Sequence, residues 1–373
     1  MSAWDDWLTA RAGAREDAGL TRRLRPRAAG DTTIDLAGND YLGLSADPRV
    51  RAAAASAAEQ YGAGAGASRL VTGTLDLHAT LESELAAWTG HEAALVFSTG
   101  YHANLGVITA LADRSVRVVS DAHVHASLID ACRLARGTVQ VVAHNDVAAV
   151  EAALAARVEP RALVLVESIY SVLGDAAPIA ELAEVCARYE AVLVADEAHA
   201  IGVSGPGGRG LLHAAGLGEA DHVIATLTLS KSLGAQGGAV LAPHGVREHL
   251  VNTARPFIYD TGLAPAATGA ARVALSLIAA EPARVARANE VAGTLADACG
   301  VDRPDGAVLA VPMPGPREAV ETVAAAAEHG IRIGCFRPPS TPDGISRLRL
   351  TAHADLADED LATATKVLRE LLS

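Results

Sequence analysis

Ala191-Val-Leu-Val-Ala-Asp196-Glu197-Ala-His199 is an apolar run that ends in an acid, with a histidine three residues further on. A run this short and this uniformly apolar reads as a strand buried on both faces, the mark of a parallel sheet covered by helices. Its acidic end matters, because ligands of such sheets bind outside the carboxyl ends of the strands. A second run, His222 to Leu227, leads into Thr228-Leu-Ser230-Lys231-Ser-Leu-Gly234. An aspartate and a lysine are therefore expected at the same sheet edge.

Working outward, Ala94 to Phe97, Val116 to Val119 and Ala162 to Glu167 read as further buried strands. From about residue 90 to 245 such runs alternate with helix-length amphipathic segments, which predicts an α/β domain with a mostly parallel central sheet and helices on both faces. Upstream, Pro48 to Gln60 and Asp76 to Trp88 are helix candidates, the second with Leu77, Leu81 and Leu85 spaced four apart on one face. After residue 262 an alanine-rich helical run to Ala280 leads into fresh helix and strand signals that end in Asp358 to Leu372. A chain of 373 residues, half of them hydrophobic, exceeds the usual size of a single core. We divide it into an N-terminal segment 1–45, a large domain 46–262 and a smaller C-terminal α/β domain 263–373. No internal repeat is evident.

The longest apolar runs are strand-sized, well below the roughly 20 residues a membrane span needs. The N-terminus carries Asp5 and Asp6 and lacks the basic start of a secretion signal. A cytoplasmic protein that does not engage a membrane is expected. Cys132, Cys186, Cys299 and Cys335 are scattered without CxxC spacing, which argues against a zinc site or a disulfide framework. A formal net charge of -13 speaks against nucleic acid as a partner. The chain has only two lysines, Lys231 and Lys366.

Taken singly, a strand-end aspartate is more often a helix N-cap, and a lone lysine is a solvated tip. Together Asp196 and Lys231 supply what pyridoxal phosphate requires: an amine for the Schiff base, and an acid that keeps the pyridine nitrogen protonated. Lys366 lies in an amphipathic terminal helix, where lysine is most simply a surface residue. Phe97-Ser-Thr-Gly100-Tyr101-His-Ala-Asn104 follows a strand and opens a helical run, which suits a phosphate at a helix N-terminus. In Asp121-Ala-His123-Val-His125-Ala-Ser127 a histidine is placed to stack on a cofactor ring. The HxH pair without a third nearby ligand does not make a metal site, and no metal is expected. Gly62-Ala-Gly64-Ala-Gly66-Ala-Ser68-Arg69-Leu-Val-Thr72-Gly73 lacks the preceding strand of a dinucleotide fingerprint and the Gly-Lys pair of a P-loop. A flexible loop lining the substrate site fits it better.

These segments resemble the α-oxoamine synthase family of fold-type I pyridoxal-phosphate transferases. Asn39-Asp40-Tyr41-Leu42-Gly43-Leu44, the Gly62 to Gly73 loop, Gly100-Tyr101-His-Ala-Asn104, Asp196-Glu-Ala-His199 and Ser230-Lys231-Ser-Leu-Gly234 occur in the family's order. The resemblance implies Lys231 as the cofactor's Schiff-base lysine, Asp196 on the pyridine nitrogen, His199 near the phenolic oxygen and His125 on the ring. It implies Ser171 beside the cofactor, with the phosphate held by Gly100, Tyr101, Thr228 and, from a partner subunit, Thr261. A homodimer with shared active sites follows. Arg349 in Arg347-Leu-Arg349-Leu matches the arginine for the amino-acid carboxylate, with Asn39 near it. Arg22 matches an N-terminal arginine near the substrate channel.

Within the family, Arg337-Pro338-Pro339-Ser340-Thr341-Pro342 looks like the segment of the biotin-pathway branch. That branch condenses L-alanine with a pimeloyl thioester, carried on CoA or on a carrier protein. Lys231 is then the expected general base for the α-proton. Three positions depart from the family pattern: Val172-Leu173 stands where Met-Asp is usual, and Ala200 where Gly or Ser is usual. Arginines such as Arg69 are expected to help an acidic surface accept an anionic CoA tail. The rival readings are a sister synthase using glycine or serine with another acyl-CoA, a non-catalytic partner subunit, and a nucleotide-binding module resting on the glycine loop alone.

Overall fold

Seven strands form the central sheet, in the spatial order Ala93–Phe97, Gly238–Ala242, Val223–Thr228, Val192–Asp196, Arg161–Glu167, Val116–Asp121, Thr138–Val142. The computed structural model describes residues 2–22, 24–338 and 340–372. Only Gly238–Ala242 runs antiparallel to its neighbours, and the other adjacent pairs are parallel. Side chains alternate between two apolar cores, one on each face. Leu163 and Leu165 enter one, Val164 and Val166 the other, as the two-residue period of a strand requires.

Helices Gly100–Leu111 and Ala126–Leu134 cover one face through Val107, Ile108 and Leu128. Ile179–Arg188 covers the other through Leu182 and Val185. The two upstream helices run Pro48–Tyr61 and Asp76–Thr89, and Leu77, Leu81 and Leu85 are buried as their spacing predicts. Asp47 caps the first by accepting from Arg49 N, with Pro48 in the position where a missing N–H costs nothing.

Two strands had no clear signal in the sequence. Gly238-Ala-Val-Leu-Ala242 is buried throughout but short and rich in glycine and alanine, and Thr138–Val142 is an edge strand whose outward side chains are exposed. An N-terminal helix, Ala3–Asp17, also escaped prediction, and none of its residues is buried.

Beyond residue 300 a smaller antiparallel sheet has the order Gly334–Phe336, Arg347–Thr351, Val308–Pro312. The chain before Asn39 is stitched to it: Ile34–Asp35 pairs with Ile331–Arg332, and Leu36 O accepts from Thr351 N at 2.8 Å. Asn39 is thereby held beside the strand that carries Arg349. Among the described residues no helix is long and apolar enough to cross a membrane, and the four cysteines are unpaired. Lys366 lies on the exposed face of the terminal helix Asp358–Leu372.

Candidate active site

The sheet's register builds the site. Glu167 is the neighbour of Asp196, and Asp196 the neighbour of Thr226, all at the carboxyl ends of parallel strands. Beyond this edge lies a cavity of about 210 Å³, lined among others by Gly100, Tyr101, His125, Asp196, His199 and Lys231. Thr228, Asn104 and Glu167 also reach it.

Asp196 is 5% exposed. Its Oδ1 accepts from Ala198 N at 2.9 Å and its Oδ2 from Asn104 Nδ2 at 2.7 Å. Asn104 is fully committed, because its second amide hydrogen goes to Ser127 Oγ at 2.8 Å and its carbonyl accepts from Thr226 Oγ1 at 2.6 Å. Ser127 in turn meets His125 Nδ1 at 2.7 Å, and Ser127 N also donates to that nitrogen. His125 Nδ1 is therefore the acceptor, and the neutral ring carries its proton on Nε2. Burial favours that neutral form by lowering the imidazole's pKa.

Lys231 Nζ lies 2.8 Å from His199 Nε2, and His199 Nδ1 lies 2.7 Å from the Tyr41 hydroxyl. Tyr41 donates to Asn39 Oδ1 at 3.1 Å, and Arg349 Nη2 donates to the same oxygen at 3.1 Å. With Tyr41 donating to Asn39, His199 donates from Nδ1 and accepts from Lys231 at Nε2. Burial pushes the Tyr41 hydroxyl up to about 12, so it stays a donor. Burial, then the Lys231 and Arg349 charges, hold His199 neutral. Lys231 is pulled down by burial, against the pull of Asp196 and Glu167. Glu167 is pushed up by burial and by Asp196 beside it.

The phosphate end is formed by Thr99, Gly100 and Tyr101 at the start of helix Gly100–Leu111. A Cβ on Gly100 would stand 3.1 Å from Thr228 Cβ, and a Cβ on Gly238 would stand 2.4 Å from Gly100 N. Only glycine leaves this cradle open. Amine, carboxylate, neutral imidazole and helix N-terminus together match the aldehyde, ring nitrogen, ring face and phosphate of pyridoxal phosphate.

Seven residues singled out in the sequence therefore line one cavity: Gly100, Tyr101, His125, Asp196, His199, Thr228 and Lys231. Asn39 and Arg349 connect to it through Tyr41 and His199. Ser171 does not line it; its hydroxyl faces Glu167 Oε1 at 3.3 Å, and its carbonyl accepts from Arg349 Nε at 2.7 Å. Thr261 is exposed and lies outside the cavity, bridged to Ser68. Arg22 is exposed and donates to Ser340 Oγ at 3.1 Å, while Pro339 of the Arg337 to Pro342 segment lies outside the described residues. Among the described residues no group of three His, Cys, Asp or Glu side chains is placed to hold a metal.

One expectation needs correction. Arg69 is only 7% exposed and pairs with Glu82 at 2.8 Å, so it holds the glycine loop against the core and offers nothing to a CoA tail. Glu167 and the linking roles of Tyr41 and Asn104 were missed. Glu167 ends its strand just as Asp196 does, but adjacency of the two depends on strand register, which a single sequence does not print.

A family model for aminotransferases of class I and II matches residues 31–368. An 8-amino-7-oxononanoate synthase of Mycobacterium sp. (strain JLS) is 54% identical over 368 residues, spanning 98% of this chain and 96% of the relative. One from Mycolicibacterium gilvum (strain PYR-GCK) is 52% identical, spanning 98% and 97%. Among solved structures, serine palmitoyltransferase from S. paucimobilis with a bound PLP-myriocin adduct superposes with a TM-score of 0.91. It is 31% identical, and the match spans 98% of this chain and 96% of that one.

Proposed function

Since the chain belongs to the class I and II aminotransferase family, we propose that it condenses L-alanine with a pimeloyl thioester, releasing carbon dioxide and thiol to give 8-amino-7-oxononanoate. The observation that carries the reading is the meeting of Lys231, Asp196, His125 and His199 at one cavity, with Arg349 tied to it through Asn39 and Tyr41. Relatives bearing the name 8-amino-7-oxononanoate synthase, at 52–54% identity over almost the whole chain, support the substrate pair.

Pyridoxal phosphate, when bound, supplies the electron sink for negative charge at the amino acid's α-carbon. Lys231 would hold its aldehyde carbon, Asp196 its ring nitrogen, His125 its ring face, and Gly100, Tyr101 and Thr228 its phosphate. Arg349 would bind the alanine carboxylate as a charge-assisted pair. Once released from the aldehyde, the Lys231 amine would take the α-proton at Nζ, and its lowered pKa keeps part of the amine neutral for that task. His199 Nε2 stands within hydrogen-bond reach of that nitrogen and would orient it. Near-complete burial of Asp196 and His199 keeps bulk water from these groups.

A homodimer is part of this reading. Tyr259 stands just before Thr261, Leu70 and Val71 just after Ser68, to which Thr261 is bridged; all three are exposed apolar side chains, and a second copy covering that patch would bring Thr261 toward the partner's phosphate site. The reading is tested by thiol release from cofactor-loaded protein, comparing alanine plus pimeloyl-CoA or a pimeloyl carrier protein with glycine or serine plus acetyl-, succinyl- or palmitoyl-CoA. Release with alanine and a pimeloyl donor supports the reading. Release only with another pair overturns it.

A further inference from the structure

A hydrogen-bonded cluster outside the cavity is not used by any step above. His144, between the edge strand Thr138–Val142 and helix Val147–Ala155, is bonded on both sides. Its Nδ1 meets Asp121 Oδ1 at 3.1 Å and its Nε2 meets Asp175 Oδ2 at 2.8 Å. Two carboxylate acceptors require two N–H donors, so the ring is an imidazolium. Burial alone would lower its pKa, but the bonds to Asp121 and Asp175 outweigh burial and raise it to about 9. Asn145, in the left-handed region at φ 53°, reinforces the clamp: its N–H donates to Asp121 Oδ2 and its side chain to Asp175 Oδ2 and Ala176 O.

The clamped segment leads to the substrate arginine. Tyr170 N donates to Asp175 O at 3.0 Å and Gly174 N to Tyr170 O at 2.8 Å, so 170–175 is one tight hairpin. A side chain at Gly174 would collide with Val308 O, its Cβ standing 2.0 Å away. At the near end Ser171 N donates to Glu167 Oε2 at 3.0 Å, and Ser171 O accepts from Arg349 Nε at 2.7 Å. The hairpin is thus tied at Asp175 and at Ser171, and the Ser171 carbonyl holds the Nε edge of the Arg349 guanidinium, whose Nη2 goes to Asn39 Oδ1.

We propose that His144 is a positioning residue for amino-acid binding, acting through the Asp175–Ser171 hairpin to aim Arg349. The proposal rests on the reading that Arg349 receives the alanine carboxylate. Neighbours of His144 are consistent with a fixed ring: Tyr170 packs edge-on at 4.3 Å and His123 lies 4.7 Å away. His123 in turn faces the Asp343–Arg347 pair from the C-terminal sheet. The charged and titratable groups around His144 are thus Asp121, Asp175, His123 and Tyr170.

The test uses His144→Phe, which keeps the ring packing and removes both hydrogen bonds, with Asp175→Asn as a second variant should the first not fold. In apoprotein, hydrogen exchange of the amides at 171–175 is expected to quicken on the order of tenfold in either variant. Exchange in strand Val192–Asp196 should stay as in the parent. In cofactor-loaded protein, KM for alanine is expected to rise roughly tenfold, with kcat and KM for the pimeloyl donor within about twofold. Unchanged exchange at 171–175, or an equal loss in kcat and both KM values, overturns the proposal. Arg349→Lys separates it from its premise. If that change raises the alanine KM and His144→Phe does not, the positioning role is wrong. If Arg349→Lys leaves the alanine KM unchanged, the premise is wrong.

Discussion

Glu82 and Glu167 are both buried carboxylates, 5% and 1% exposed, in opposite company. Glu82 Oε1 accepts from Arg69 Nη2 at 2.8 Å and Val96 N at 2.9 Å, and its Oε2 from Arg247 Nη2 at 3.3 Å. Arg69 also donates to Thr74 Oγ1 and Val96 O. Every charge there is met by an opposite charge or a hydrogen bond. At the other cluster Glu167 accepts from Ser171 N and Oγ but adjoins a second acid, Asp196, and the lysine of that cavity contacts a neutral histidine. The first arrangement holds a loop to a sheet. The second gathers groups whose pKa values burial shifts.

The contrast separates the consequences of mutation. Lys231→Ala should reduce product formation on the order of 10⁴-fold or more, since it removes the amine that holds the cofactor and moves the proton. Unfolding in denaturant should change little or shift toward greater stability, because a buried amine is removed. A variant that kept appreciable turnover would dissolve the distinction between the two clusters.

Glu82→Ala should act the other way, costing about 3 to 5 kcal/mol in urea unfolding because Arg69 is left charged and unpaired. The fraction that remains folded should still turn over substrate. Near-parental stability would show that the pair is not what holds the loop.

A smaller effect sharpens the comparison at a third place. The folded pKa of His144 lies near 9, above the roughly 6.5 of an unfolded histidine. Its stabilising contribution is therefore fully present below about pH 6.5 and is lost as pH rises through about 9. After discounting for its partial exposure we expect the loss to be on the order of 1 to 2 kcal/mol. The pH dependence of urea unfolding between 6 and 10 should be flatter in His144→Phe than in the parent, and equal slopes would contradict the assignment.

These particulars also explain what the sequence made legible. Val192–Asp196 and its neighbours announce themselves, because a strand buried on both faces has no polar position to hide it. Lys231 stood out through the scarcity of lysine. Glu167 was hidden because it matters only through register with Asp196. Arg69 was misread because an arginine among glycines looks free, and only the fold reveals Glu82 beneath it. His144 carries no local motif at all: its two carboxylates come from residues 23 positions before it and 31 after it.

The central claim, that the lysine at the sheet edge is the one that holds the cofactor, has a two-way test, since the chain offers only Lys231 and Lys366. Cofactor-loaded protein is reduced with borohydride, digested, and the pyridoxyl mass located by peptide sequencing. The account predicts the label on Lys231, with Lys366 unmodified. Label on Lys366 instead, or an unmodified Lys231 in fully loaded protein, would contradict it.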